Sequence, residues 1–381
     1  MQASADLASA VAWGGFALAF IFGAMGHKAN YCTMGAVSDM VNIGDWSRMR
    51  MWLLSIAVAI LGANALHILG YVDLSRSVYQ SPNFTWFANI LGGLIFGIGM
   101  TLASGCGSKT LIRLGGGDLR SLVVFAFLAI SAYMTLKGLF GIWRTAYIEP
   151  VAINFLAQGI NGQDLPTLLS GMTGVSKQSL QIAVGGIFAA AILAFVFKDH
   201  RFRLNRDYVL AGVVVGLVVV GGWYVTGHIG YAENPETLEM TFFGTNTQAA
   251  ESFTFVAPLG YSLGLLMLWS DSSLHATFGI AAVAGVIAGS FAYAVLSKKF
   301  RVEGFRDAKD TTNHILGAVL MGFGGVTSLG CTIGQGITGF STLAVGSILT
   351  FFAIVTGAAL TMKYQYWKML REPSLGKAKQ N

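Results

Sequence analysis

Charge is scarce in this sequence. Only 11% of its 381 residues are Asp, Glu, Lys or Arg, against roughly 25% in soluble domains. That excludes an ordinary water-soluble chain. Cysteine is scarcer still, with three in all: Cys32, Cys106 and Cys331. An odd count leaves a thiol over from any disulfide set, and no C-x2-C spacing supports a structural zinc site. Enzyme signatures are missing too. There is no P-loop ending in Lys-Ser/Thr, no H-E-x-x-H and no G-x-S-x-G. "RLGGGDLR" (Arg113–Arg120) is rich in glycine but follows no soluble strand, and reads as a turn. No cofactor, metal or nucleic-acid partner is expected.

What is abundant is apolar surface, at 54% of residues, together with 49 glycines. Close helix packing in lipid favours small residues, so the chain reads as an all-α polytopic membrane protein. Runs near the length of about 20 residues needed to cross a bilayer are Ala10–Met25, Met51–Val72, Phe87–Ala103, Ser121–Trp143, Gln181–Phe197, Tyr208–Val225, Val256–Ser270, Ala276–Ser297, Asn313–Ser328 and Leu343–Met362. Trp13, Trp52, Trp86, Trp143, Trp223, Trp269 and Trp367 fall near their ends, where indole rings favour the headgroups. The N-terminus has no basic region, so no cleavable signal peptide is expected.

Basic loops stay in the cytoplasm. Lys28, Arg48 and Arg50 follow the first run, Lys109, Arg113 and Arg120 the third, and Lys198, Arg201, Arg203 and Arg206 the fifth. This places the N-terminus outside. The loop with Glu233, Glu236, Glu239 and Glu251 suits the outside. Ten crossings would then strand Lys298, Lys299, Arg301, Arg306 and Lys309 outside, along with the tail bearing Lys368, Arg371, Lys377 and Lys379. The conflict disappears if Val256–Ser270, which is short and holds Pro258, does not cross. About nine spans remain, with the N-terminus periplasmic and the C-terminus cytoplasmic in a bacterial inner membrane.

Two stretches align without gaps, "ILGGLIFGIGMTLASGC" (Ile90–Cys106) and "ILGAVLMGFGGVTSLGC" (Ile315–Cys331). Gly92, Gly97, Gly99, Gly105 and Cys106 match Gly317, Gly322, Gly324, Gly330 and Cys331. A weaker copy ends in Cys32. A fourth lacks cysteine and has Val225–Gly227 in its place. The expected organisation is a first repeat half (1–145), an external stretch with a linking helix (146–206), and a second half with a cytoplasmic tail (207–381). An odd number of spans from half to half inverts the second relative to the first, the arrangement of transporters whose sites lie near the midplane.

Glycine-rich backbone at such a depth can interrupt a span and start a short helix, and broken backbone in a membrane must be buried or line a polar cavity. Helix-start amides attract anions. A lone cysteine is ordinarily a small buried hydrophobe. Three at comparable breaks point instead to sulfur chemistry, since a thiol with its usual pKa is mostly S–H at neutral pH and donates a weak hydrogen bond. The candidate substrate-binding groups are Cys32, Cys106, Cys331, Gly105, Gly107, Ser108, Gly330, Thr332 and Gln335, with Lys109 and Asp39 as further candidates. Lys109 reads first as an inner-side anchor, and Asp39 as a local cap or ion pair. His27, His67, His228 and His314 read as packing residues.

"YCTMGAVSDM", "ASGCGSKTLIRLGGGD" and "LGCTIGQGITGFS" resemble the signature stretches of the YeeE/YedE sulfur-transport family, over most of the chain. The resemblance implies an all-helical bundle of nine spans with short helices meeting at a constriction. It also implies a thiosulfate path lined by Cys32, Cys106 and Cys331, relay between S–H groups without covalent change, and a small cytosolic sulfur-carrier protein as partner. Lys109 follows Cys106 where relatives often carry smaller, uncharged residues. The expected activity is therefore uptake of thiosulfate or a related sulfur anion across the lipid bilayer, not catalysis. The alternatives are a membrane sulfurtransferase or redox protein using a cysteine persulfide or disulfide, a soft-metal transporter, and a structural subunit.

Overall fold

A computed structural model describes residues 2–235, 237–271, 274–305 and 308–377. Among the charges that set the expected orientation, Glu236, Arg306 and Lys379 lie outside the described residues, as does the Lys377 side chain. The chain folds as α1 (Gln2–Lys28), α2 (Thr33–Ser38), α3 (Ser47–Ile68), α4 (Trp86–Leu102), α5 (Gly107–Gly115), α6 (Leu119–Lys137), α7 (Leu139–Trp143), α8 (Leu165–Thr173), α9 (Lys177–Phe197), α10 (His200–Leu204), α11 (Arg206–Tyr224), α12 (Ala257–Met267), α13 (Phe278–Leu296), α14 (Ala308–Thr327) and α15 (Val345–Lys377). Among the described residues, the only strands form two short antiparallel pairs, Asn83–Phe84 with Ile153–Asn154 and Tyr231–Glu233 with Met240–Phe242. The protein is an all-α polytopic membrane protein.

Among the described residues, eight segments are long and apolar enough to cross a bilayer. α12 is not one of them. It has 11 residues, about 16 Å at 1.5 Å per residue, with Pro258 in its first turn. α14 opens on the polar run at residues 308–314 and is also not among the eight.

Glycine sets how closely the long helices approach. A β-carbon on Gly92 would sit 2.7 Å from the Gly324 carbonyl oxygen, and one on Gly324 would sit 2.6 Å from that of Gly92. Gly99 and Gly317 repeat the relation at 2.7 and 2.6 Å. The early glycine of each helix thus meets the late glycine of the other, so α4 and α14 run antiparallel. α4 also packs on α15, where Gly97 meets the Ile354 carbonyl, and α14 packs on α6, where Gly322 meets that of Leu128. α1 lies along α13 in the same direction, with Gly285 on Phe16 and Gly289 on Phe20.

Two expectations change. Trp52 and Trp223 are 1% and 0% exposed and sit in the core, not at headgroup level. Trp52 stacks on Phe351 with ring centroids 4.8 Å apart, and Trp223 donates its indole N–H to Ser341 Oγ. Exposed indoles do occur at Trp13, Trp143, Trp269 and Trp367. The fourth copy is not broken at Val225–Gly227: α11 runs on through a π-helical turn, Val225–Ile229.

Candidate functional site: three helix breaks and their cysteines

The three cysteines occupy the same local geometry. α1, α4 and α14 each end at a residue in the left-handed region, Asn30 (φ 52°), Ser104 (φ 57°) and Leu329 (φ 60°), two positions before a cysteine. The next amide reaches back across the last turn in every case: Tyr31 N–H to Gly26 O at 2.9 Å, Gly105 N–H to Met100 O at 2.9 Å, and Gly330 N–H to Gly325 O at 2.7 Å. This is the 6→1 bond of a Schellman ending. The cysteine carbonyl then starts a new helical turn, accepting from Ala36, Thr110 and Gln335. The left-handed residue is never glycine. Glycine-rich composition therefore marks the second and third breaks without itself making the turn.

Each cysteine stands at the entrance to the next helical turn, and two of them cap it. Cys32 is extended (φ −163°, ψ 122°), and its Sγ accepts from the Gly35 amide at 3.3 Å. Cys331 Sγ accepts from the Gly334 amide at 3.5 Å, ahead of the π-helical turn Gly334–Gly339. Cys106 precedes α5, whose start no side chain caps, and its Sγ lies 3.3 Å from Ser108 Oγ. The amides of the first α5 turn, at Gly107 and Ser108, therefore lack a side-chain partner and lie at the positive end of a buried helix. All three thiols are free and buried.

Cys106 is the common neighbour, within charge–charge range of both Cys32 and Cys331. The space between Cys106 and Cys331 is bounded by residues 252–256, which run into α12. A β-carbon on Gly107 would sit 3.2 Å from the Phe255 carbonyl oxygen. The Phe255 backbone lies beside the Cys331 thiol, and Thr254 Oγ1 lies 4.0 Å from Cys331 Sγ. Sequence reasoning missed Thr254 and Phe255. The available signal was Pro258 in a span too short to cross, which marks chain that enters the bundle and turns back.

The other candidates divide. Thr332 Oγ1 and Gln335 Oε1 are buried beside Cys331 with no hydrogen-bond partner, while Gln335 donates to the Ser328 carbonyl. They are polar groups left available at the third break. A β-carbon on Gly330 would press on Gln335, and one on Gly105 on Lys109. Lys109 is 7% exposed. Its Nζ donates to Asn30 Oδ1, which ties the second break to the first. Arg113 donates to the Ser104 carbonyl at 2.7 Å. Lys109 lies within charge range of Arg113, Arg48, Cys32 and Cys106, so cationic groups gather where the first two breaks meet. Asp39 pairs with Arg48 at 3.1 Å. The histidines pack: His27 against Ser290 Oγ, His67 against the Val72 carbonyl, and His314 against that of Asp310. Among the described residues, no cluster of His, Cys, Asp and Glu could hold a metal ion.

The family profile described as sulphur transport matches residues 28–360, a range that contains all three breaks. The chain belongs to the sulphur-transport family. Within that family it is similar to the thiosulfate transporter TsuA of Escherichia coli K12, at 26% identity over 328 residues covering 83% of this chain and 84% of that protein. It is also similar to the thiosulfate transporter TsuA of Spirochaeta thermophila, at 25% identity over 356 residues, 91% of this chain and 96% of that protein.

Proposed function

We propose that this sulphur-transport family member takes up thiosulfate, or a closely related sulfur anion, through the three breaks. The observation that carries the reading is the threefold recurrence of one Schellman ending that delivers a buried, free cysteine each time. Cys106, in range of both other thiols, is the middle station. S–H groups donate weakly to the terminal sulfur and release it readily. The open amides of Gly107 and Ser108 and the Lys109 ammonium balance the oxyanion charge. Thr332 and Gln335 supply a polar contact at the third break. No covalent step is required, so the protein acts as a transporter and not as an enzyme.

The reciprocal glycine contacts favour an inverted repeat. Exchanging Gly92 with Gly317 and Gly99 with Gly324 turns each observed contact into the other, and it exchanges the α4–α15 pairing with α14–α6. Such exchange is what a two-fold axis in the membrane plane produces. Counting α14 as the partner of α4 raises the eight apolar crossings to nine spans, with the N-terminus periplasmic and the C-terminus cytoplasmic in the inner membrane. The halves are then 1–145 and 207–381. The 146–206 stretch is stitched to the second half, since Leu165 donates to the Leu343 carbonyl and Val345 to that of Gln163.

Inward movement of an anion opposes a negative-inside potential by about 2.3 kcal/mol per charge per 100 mV. Consumption by a small cytosolic sulfur-carrier protein would draw the flow inward. The test is uptake of sulfur-labelled thiosulfate into proteoliposomes, with sulfate and selenite as competitors. Wild-type uptake, with sharp loss in Cys106→Ser and in Cys331→Ser at unchanged membrane insertion, is expected. Normal uptake by both variants overturns the thiol path. A persulfide on either cysteine after turnover, seen by mass spectrometry, assigns sulfur transfer instead.

A further inference from the structure

A chamber that the cysteine pattern does not reveal lies against the third break, away from the Lys109 cluster. A cavity of about 120 Å³ is lined by Tyr79, Arg144, Glu251, Thr254, Tyr261 and Leu329, among others. Two of these belong to the third break: Leu329 is its left-handed residue, and Thr254 lies against Cys331 Sγ. A second cavity, about 420 Å³, shares Asn246 and Tyr261 with the first and carries Lys137 and His275 on its wall. Asn246 and Tyr261 therefore stand between a wider vestibule and a narrow chamber whose wall, at Thr254, backs onto the thiol.

The chamber holds two charged groups with unusual partners. Arg144 pairs with Glu149 at 2.8 Å through Nη1, but its Nε is buried and unpartnered. Glu251 makes no ion pair among the described residues. Its carboxylate accepts only from the Asn246 amide at 3.1 Å and Thr247 Oγ1 at 3.4 Å, while its carbonyl accepts from Thr226 Oγ1. The titratable and charged groups facing it are Arg144, Tyr79 and Tyr261, with the Cys331 thiol beyond Tyr79. A carboxylate with no cation in contact, in a chamber that an anion must cross, opposes that anion unless it carries a proton.

We propose that this chamber is the outer docking site for the oxyanion, that Arg144 binds it there, and that Glu251 must be protonated to admit it. The inference rests on the transport reading above and adds a proton requirement to it. Burial pushes the Glu251 carboxyl up to about 7, so the gate changes state within the ordinary pH range. Admission then falls about tenfold between pH 6 and pH 8, following the protonated fraction. Where the proton travels inward with the anion, it also lowers the charge that moves against the membrane potential.

The experiment measures sulfur-labelled thiosulfate in two ways at pH 6, 7 and 8: equilibrium binding to purified protein, and uptake by proteoliposomes with only the external pH varied. Wild type should bind and transport about tenfold better at pH 6 than at pH 8. Glu251→Gln should be flat at the acid level, and Arg144→Gln should be weak at every pH. A flat wild-type profile overturns the proposal without any variant, and so does an unchanged slope in Glu251→Gln. The two readings fail differently. Uptake that vanishes in Cys106→Ser but shows no dependence on Glu251 defeats the gate and keeps the transporter. Binding that depends on pH and on Glu251, without uptake, keeps the site and defeats transport.

Discussion

Gly92 and Gly324 press against each other with no side chain between them. A β-carbon on either would lie 2.6–2.7 Å from the carbonyl oxygen of the other. Real β-carbons do not approach backbone oxygen that closely, and neither group can rotate away. Gly324→Ala must therefore push α4 and α14 apart, and the breaks at Cys106 and Cys331 lie at the ends of those two helices. Overpacking of this kind costs about 1–3 kcal/mol. Thermal unfolding in detergent should show a lower Tm for Gly92→Ala and for Gly324→Ala, while Gly186→Ala, inside α9 with open space around its β-carbon, should hold or raise it.

The turn before Cys106 is a different kind of expense. Ser104 holds φ at 57°, a region that disfavours L-residues by about 1–2 kcal/mol and that glycine enters freely. Ser104 contributes its carbonyl to Arg113, a contact that glycine keeps. Ser104→Gly should raise Tm by the equivalent of about 1 kcal/mol or less, since glycine also gains freedom in the unfolded chain. A fall in Tm would mean that the serine side chain itself holds the break.

These two sites mark how far the sequence could be read. The aligned stretches Ile90–Cys106 and Ile315–Cys331 were legible because small residues had to recur where two helices touch, and because a cysteine ended each. The turn was legible only in position. Asn30, Ser104 and Leu329 share no chemistry, so the left-handed residue leaves no residue-type signal, and the glycine beside it at 105 and 330 draws attention to the wrong position. The α12 half-helix could be read from Pro258 and its length. What it carries could not: Thr254 and Phe255 reach Cys331 and Gly107 from about 75 and 150 residues away in sequence, with no local pattern. Trp52 and Trp223 misled because a segment end in sequence became a core position once π-helical turns and loops packed over it.

Lys109 tests whether charge or tethering matters where the first two breaks meet. Its ammonium donates to Asn30 Oδ1 and lies in range of Arg48 and Arg113. Lys109→Gln keeps a donor for Asn30 but removes the charge. A hydrogen bond to a charged group is worth about 1.5–3 kcal/mol, so thiosulfate affinity should fall about tenfold or more while Tm changes little. If Tm collapses and the residual folded protein binds normally, the lysine is a strut between breaks and not an anion ligand.

Glu251 makes a prediction about stability that needs no transport. Its folded value of about 7 lies above the ordinary 4.5. Below pH 4.5 the carboxyl is protonated whether the chain is folded or not, and the group has no effect. As pH rises from there, the unfolded chain ionises first, so the folded state loses stability until its own carboxyl ionises near pH 7, after which the penalty is constant. The shift sets a ceiling of about 3 kcal/mol, lowered to the extent that water reaches the half-buried carboxylate. Glu251→Gln removes the slope. Its Tm should exceed that of wild type at pH 8 by more than at pH 5, in detergent and without substrate. Equal differences at the two pH values would mean that the carboxyl titrates normally, and the proton gate would fail on thermodynamic grounds whatever the uptake assays report.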